Sequence, residues 1–301
     1  MANVYEIVTG KIIDALKAGV VPWRKPWNVG PGQFPHNAFT RRPYRGINAF
    51  LLGLAPYSDP RWTTFDQMAK RGGRLRKIDG TDTLEKSTIV TFWKTGKYEA
   101  EDPKTGEKIE KNSFMLRYYR VWNVEQIDGL KLPPIDRSAG NEWDAVAEAE
   151  RIADGMPNPP AVTHAGASDR AFYRPSSDAV TLPARESFDS ADGYYSTLFH
   201  ELGHSTGHES RVDRPGACDP APFGSETYSQ EELVAEFAAA FLTAHSGITN
   251  TVENSAAYIA SWLKVLRSDP KLAVIAAAQG QKAAEYILGG SDAEATTEEG
   301  E

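Results

Sequence analysis

The chain has 301 residues, 41% apolar and 25% charged, a balance that fits a globular protein large enough for two domains and excludes a low-complexity or fibrous one. The net charge of −8 hides a division: up to Leu132 there are 22 Lys and Arg against 14 Asp and Glu, and the remainder is strongly acidic. No apolar run reaches membrane-spanning length, the N-terminal residues lack a basic segment followed by an apolar one, and the single Cys218 excludes an intramolecular disulfide, so a cytoplasmic protein without leader or membrane contact is expected.

Val4, Val8, Ile12, Ala15 and Leu16 recur at helical spacing, and Gly19 ends that first amphipathic helix. Val21-Pro22-Trp23-Arg24-Lys25-Pro26-Trp27 cannot continue it, because two prolines force an extended course that presents rings and cations together. The basic run Arg41-Arg42-Pro43-Tyr44-Arg45 leads into a short helix at Gly46–Leu52. Another helix near Thr63–Lys70 has a threonine cap and stops at Gly72-Gly73, followed by Arg74 and Arg76. Residues 88–94 and 114–123 are rich in β-branched and aromatic side chains and are joined through Asp102-Pro103-Lys104-Thr105-Gly106, which predicts a long hairpin.

Five of the seven tryptophans lie in this basic part. Cations interleaved with rings hold single-stranded nucleic acid by phosphate attraction and base stacking, which makes Trp23, Arg24, Lys25, Trp27, Arg41, Arg42, Tyr44, Arg45, Trp62, Arg74 and Arg76 the candidate contacts. The competing reading, that the rings are core and the charges a solvated face, is equally compatible with composition. Stacking tolerates any base, so little sequence preference is expected.

Pro and small polar residues interrupt both periodicities at Leu132–Gly140, which predicts a first α+β domain over 1–133, a linker at 134–141, a second domain over 142–289 and a disordered acidic tail at 290–301. The second domain opens with a helix from about Glu142 to Ala153, with Trp143, Val146 and Ile152 inward. Short strands follow at 161–164, 170–173 and 178–182, with His164 structural, and later helices at about 256–267, with Trp262 in the core, and 271–288.

Between them lies Leu198-Phe199-His200-Glu201-Leu202-Gly203-His204-Ser205-Thr206-Gly207-His208, which contains H-E-x-x-H. On a helix His200 and His204 project from one face and can meet at one divalent ion, and Glu201 lies about 100° round, placed as a general base for water activated there. Tyr194, Tyr195, Leu198, Phe199 and Leu202 make the same helix apolar, so its polar groups need partners. An eleven-residue motif ending in a third histidine fails, because Ser210 occupies that place, and His208 belongs to the helix C-terminus. Downstream, Glu232 and Glu236 share a face of an apolar helix read as starting at Ser229, where Ser229 and Glu232 resemble a capping box.

These two helices resemble those of gluzincins. That likeness implies Glu232 as third ligand, with Glu231 the alternative, and Glu236 as the acid that orients the first histidine. It implies one divalent ion, with Zn²⁺ suiting two imidazoles and a carboxylate and Mn²⁺ or Co²⁺ able to use the same ligands. Tyr228 and His245 are the residues considered for steadying an oxyanion.

A wider resemblance joins both halves. Val21-Pro22-Trp23, Tyr44-Arg45-Gly46-Ile47-Asn48 and Trp62-Thr63-Thr64-Phe65 look like the single-stranded-DNA-binding domain shared by conjugative-plasmid primases and ArdC-type antirestriction proteins. Phe172-Tyr173, the H-E-x-x-H stretch, Glu231–Glu236 and Asn254–Ile259 look like the metallopeptidase-like domain of that family. The resemblance implies an α+β protein whose small DNA-binding domain precedes a zincin-like, gluzincin-type domain, and which protects transferred single-stranded DNA from host restriction. It also implies an edge strand above the cleft, for which 178–182 is the candidate. Two other classes remain: a metalloprotease of protein partners localised by DNA, and a DNA-binding module whose metal is structural.

Overall fold

The computed structural model describes residues 3–24, 33–79, 81–101, 108–135, 144–165, 170–215, 226–249 and 255–290. Lys25, Trp27, Trp143, Cys218 and the tail after Gly290 lie outside them.

Helix α1 (Val4–Lys17) starts at Asn3, whose side chain accepts from the Glu6 amide while Glu6 answers the Asn3 amide, and it buries Val8, Ile12 and Leu16. Gly19 follows with φ 79°, a conformation that costs a residue without Cβ little. The next elements are β1 (His36–Asn37), α2 (Ile47–Gly53), β2 (Arg61–Thr64) and α3 (Phe65–Ala69), the last capped by Thr64, the threonine cap expected from the sequence. A two-residue strand β3 (Arg74–Leu75) pairs with β6 (Ile127–Asp128). The expected hairpin is present and longer than its sequence signal, β4 (Thr88–Glu101) against β5 (Lys108–Asn123). It joins a four-stranded sheet in the order β1-β2-β5-β4.

The second half begins with α4 (Ala145–Asp154) and a three-stranded sheet of β7 (Ala161–Ala165), β8 (Phe172–Arg174) and β9 (Ala179–Pro183). Its order is β7-β9-β8, with β7 parallel and β8 antiparallel to β9. The segment expected at the edge is therefore the central strand. Its Val180 and Leu182, two residues apart on one face of the sheet, are fully buried in the main core cluster. Among the described residues four helices follow: α5 (Ala191–Ser205), α6 (Glu226–Ser246), α7 (Ala256–Ser268) and α8 (Leu272–Ile287). Ser190 caps α5 by accepting from the Gly193 amide. Ser229 caps nothing, because α6 already runs from Glu226, which leaves Glu232 inside the helix and outside any capping role.

Helix α6 is the axis of the molecule. Leu233, Val234, Phe237 and Leu242 have no exposed surface, and each such side chain contributes roughly 1.5–3 kcal/mol by burial. Two glycines let neighbours approach it closely. A Cβ on Gly203 of α5 would stand 3.2 Å from both Ala235 Cα and Ala238 Cβ, and one on Gly280 of α8 would stand 2.6 Å from Phe237 Cβ. The N-terminal half packs on the same helix: Phe50 of α2 lies 4.6 Å from Phe237 and 4.9 Å from Phe241, ring centre to ring centre. One hydrophobic cluster thus runs from Val8 to Ile287 across the expected join, and a smaller one of Leu52, Trp62, Val90 and Val121 serves the four-stranded sheet.

Candidate metal centre and nucleic-acid interface

The close approach at Gly203 brings the polar faces of α5 and α6 together. His200 Nε2 lies 3.1 Å from His204 Nε2, and Glu232 carboxylate oxygens lie 3.6 Å and 3.5 Å from them. These three residues can each offer one ligand atom within 4.8 Å of the others. Two imidazoles and a carboxylate so arranged fit one divalent ion. Among the described residues no other group of three His, Cys, Asp or Glu does so.

Charge in the surroundings is divided between neutralised and bare acids. Arg214 forms an ion pair with Glu231, and Arg24 donates to Glu236 at 2.7 Å. Among the described residues no arginine pairs with Glu232 or Glu201. Burial alone would push the Glu232 carboxyl up, yet the His200 hydrogen bond, the two histidines' charge and the Tyr228 hydroxyl hold it down at about 2. Burial works against a charged His200, but the hydrogen bond to Glu232 and the carboxylates of Glu236 and Glu201 outweigh it and raise the imidazole to about 9. The cluster therefore demands positive charge, which protons supply when a metal does not.

Glu201 is buried at 6% exposure on the same helix. Tyr228 donates to Glu232 from one turn earlier, and its own proton is held to about 12 by burial and by Glu232 and Glu201. His245, the other oxyanion candidate, instead packs 4.5 Å from Phe34. His208 turns away to Ser210, and His164 meets the Tyr194 hydroxyl.

The expected support from Glu236 takes a different form. Its carboxylate accepts from Arg24 and from the Tyr258 hydroxyl at 2.7 Å, so its link to His200 is electrostatic. The histidine with a carboxylate behind it is His204, whose Nδ1 lies 3.5 Å from Glu231. Sequence reasoning could not see this, because Arg24 is 212 residues from Glu236 and its immediate neighbours point to DNA instead.

The proposed DNA contacts divide. Trp23 is 2% exposed, edge-on to Phe237 and Trp262, with its indole N–H on Tyr258. Trp62, also 2% exposed, is core of the smaller cluster. Both rings are committed to packing and cannot stack on bases, and Arg24 is committed to Glu236. Arg45 pairs with Glu285 and Arg76 with Asp128, but both are surface pairs that a phosphate could displace. Arg41, Arg42 and Arg74 are exposed and Tyr44 half-buried.

Sequence reasoning missed the most aromatic surface, the hairpin. Phe92 and Tyr119 stack at 4.1 Å and 12° across β4 and β5, and Tyr119 is 47% exposed. Two adjacent rings beside a cation, at residues 92–94 and again at 117–119, are the signal that could have found it.

Fold and site together define an α+β protein in which a zincin-like metallopeptidase domain follows a small sheet-bearing domain. A family model of the N-terminal domain of anti-restriction factor ArdC matches residues 2–122, and one of a zincin-like metallopeptidase matches 149–279. The metal-free antirestriction ArdC protein of the R388 plasmid shares 33% identity and a TM-score of 0.70, over 96% of this chain and 100% of that one. Its Mn(II)-bound structure gives 34% and 0.69, over 96% and 98%. The chain belongs to the ArdC family of antirestriction proteins. It is also 42% identical over 300 residues to the Escherichia coli DNA primase TraC, covering 94% of this chain but only 20% of the primase. The uncharacterized protein y4eC of Sinorhizobium fredii is 32% identical over 295 residues, 95% of this chain and 91% of that protein.

Proposed function

We propose that the protein binds single-stranded DNA without strong sequence preference, protects transferred DNA from host restriction, and carries a metal-dependent peptidase activity at the α5–α6 cleft. The observation that carries the peptidase part is the convergence of His200, His204 and Glu232 beside a buried Glu201 that no described arginine neutralises. Likeness to ArdC over nearly the whole chain supports the protective role.

His200, His204 and Glu232 would hold the ion, and zinc is the native metal we favour from the ligand types; manganese, which the R388 relative binds in one structure, can use the same ligands. When bound, the ion supplies a Lewis acid that polarises a peptide carbonyl. Glu201 is the general base: it takes the proton from the attacking water and returns it to the departing amine. Glu231 keeps the His204 ring turned toward the site. Tyr228, whose hydroxyl stays protonated at neutral pH, is a donor for the developing oxyanion. A peptide or protein is the substrate class, and a cytoplasmic setting suits both activities.

The test is recovery of transferred plasmid in a restricting host, comparing wild type, Glu201→Gln and no protein. Wild type should raise recovery; equal recovery without it would reject the protective reading. Glu201→Gln should keep metal and DNA yet lose hydrolysis. Full protection by that variant would separate protection from peptidase chemistry.

A further inference from the structure

The turn between Asn37 and Arg42 divides two cavities in the N-terminal half. Asn37 pins it: the side-chain oxygen accepts from the Phe39 and Thr40 amides at 3.0 Å, and backbone bonds link Arg41 to Asn37 and Asn37 to Arg42 at 2.9 Å. Arg41 takes φ 60°, unusual for a residue with a side chain, and consecutive arginines are thereby delivered to opposite sides. Arg41 lines a cavity of about 570 Å³ with Phe39, Arg61, Arg71 and Lys131, while Arg42 lines a smaller one of about 190 Å³ with Tyr44, Phe92 and Tyr119.

Among the described residues no acid lines the first cavity. Arg61 is neutralised by Asp59 at 2.7 Å. Arg71 lies 3.8 Å over the Phe39 ring, and among the described residues neither it nor Arg41 nor Lys131 has a carboxylate partner. Three uncompensated cations facing one hollow attract an anion with several negative oxygens. The second cavity ends at the Phe92–Tyr119 stack. By the strand register, Arg117 lies opposite Phe92 and two residues from Tyr119, so it shares their face of the hairpin, as does Lys94. A planar base can extend the stack on the open face of a ring, with cations alongside for its phosphates.

We propose that a single strand of DNA crosses the 37–42 turn, with a base on the Phe92–Tyr119 stack beside Arg42 and a backbone phosphate in the Arg41–Arg71–Lys131 hollow. This rests on the single-strand-binding reading above and assigns it a path. The path bypasses Trp23 and Trp62, the rings that composition favours.

Fluorescence anisotropy of the full-length protein with a labelled oligothymidylate, and with an abasic strand of equal length, tests the assignment. Tyr119→Ala should weaken oligothymidylate about tenfold and leave the abasic strand unchanged. Arg41→Ala/Lys131→Ala should weaken both strands and flatten the slope of log affinity against log salt by about 0.7 for each phosphate no longer neutralised. Lys264→Ala/Arg267→Ala on α7 removes the same charge from residues that line neither cavity and should do neither. Wild-type binding with no loss in either turn or hairpin variant overturns the path while sparing the DNA reading. Equal loss on both strands for Tyr119→Ala overturns the stacking subsite. Failure of the wild type to bind at all defeats the DNA reading itself. Melting curves on each variant verify that these exposed substitutions leave the fold intact.

Discussion

Arg24 donates to Glu236 at 2.7 Å with both side chains nearly buried, and Glu236 stands one helical turn after Glu232. A residue of the N-terminal half thus neutralises an acid directly behind the His200–His204–Glu232 cluster. The Arg24 guanidinium also lies 3.9 Å over the Tyr258 ring, which in turn donates to Glu236.

Arg24→Ala should therefore act as a stability change. It strands a carboxylate that is 8% exposed, at a cost on the order of 3 kcal/mol. Arg24→Ala/Glu236→Gln should recover part of that loss in denaturant unfolding. If Arg24→Ala instead left stability untouched and reduced only DNA affinity, the buried pairing would be wrong.

Metal affinity should depend on pH with a defined sign. His200 in the metal-free protein is raised from 6.5 to about 9, so its proton stabilises that form fully below pH 6.5, and this contribution is lost as pH rises through 9. A metal must displace the proton, so affinity should climb about tenfold per pH unit across that window. Calorimetric titration in buffers of different ionisation enthalpy would register the released proton. His204→Ala and Glu232→Ala should remove tight binding, whereas Glu231→Gln, which loosens the His204 ring and takes the carboxylate from buried Arg214, should cost about 10–100-fold.

Gly280→Ala should destabilise by on the order of 1–3 kcal/mol, because its methyl would stand 2.9 Å from the Val234 carbonyl oxygen and 3.0 Å from the Ala238 nitrogen, backbone atoms that cannot step aside. Gly10→Ala in α1 meets nothing within 4 Å and should stabilise by about 0.5–1 kcal/mol. Parallel urea titrations of the two variants would read both signs.

Arg211 follows α5 and bridges it to the small sheet. Its side chain is wholly buried and forms a double hydrogen bond with Asp178, holding that carboxyl below its ordinary range. The bond's stabilisation is present above the ordinary carboxyl pKa and disappears as pH falls through the lower folded one. Asp178→Asn should cost about 1–3 kcal/mol, allowing for solvent at Asp178, and flatten the acid limb of unfolding. An unchanged acid limb in pH-jump melts would contradict this.

The His200–His204 helix is legible in the sequence because its information is local: four-residue spacing alone puts both rings on one face. Glu232 is reachable for the same reason, once a second helix is assumed to face the first. The hairpin is equally open, since its alternation and turn residues are contiguous. Trp23 and Trp62 mislead because an aromatic ring beside cations has the same composition whether it faces solvent or Phe237. Strand order fails differently: β9 becomes central only when β7 and β8 take opposite sides of it, a choice that no single strand encodes. Glu236 needs Arg24, and that pairing exists only after the chain has returned to its beginning.

Phe50 and Trp23 pack against Phe237, so neither family region covers its own apolar face. Cutting the chain between them would give two sticky fragments, whereas moving both together keeps every such ring covered. This is the pattern seen in TraC, where a stretch matching 94% of this chain recurs inside a far longer primase. The two family regions therefore belong together physically, because each is the other's interior wall.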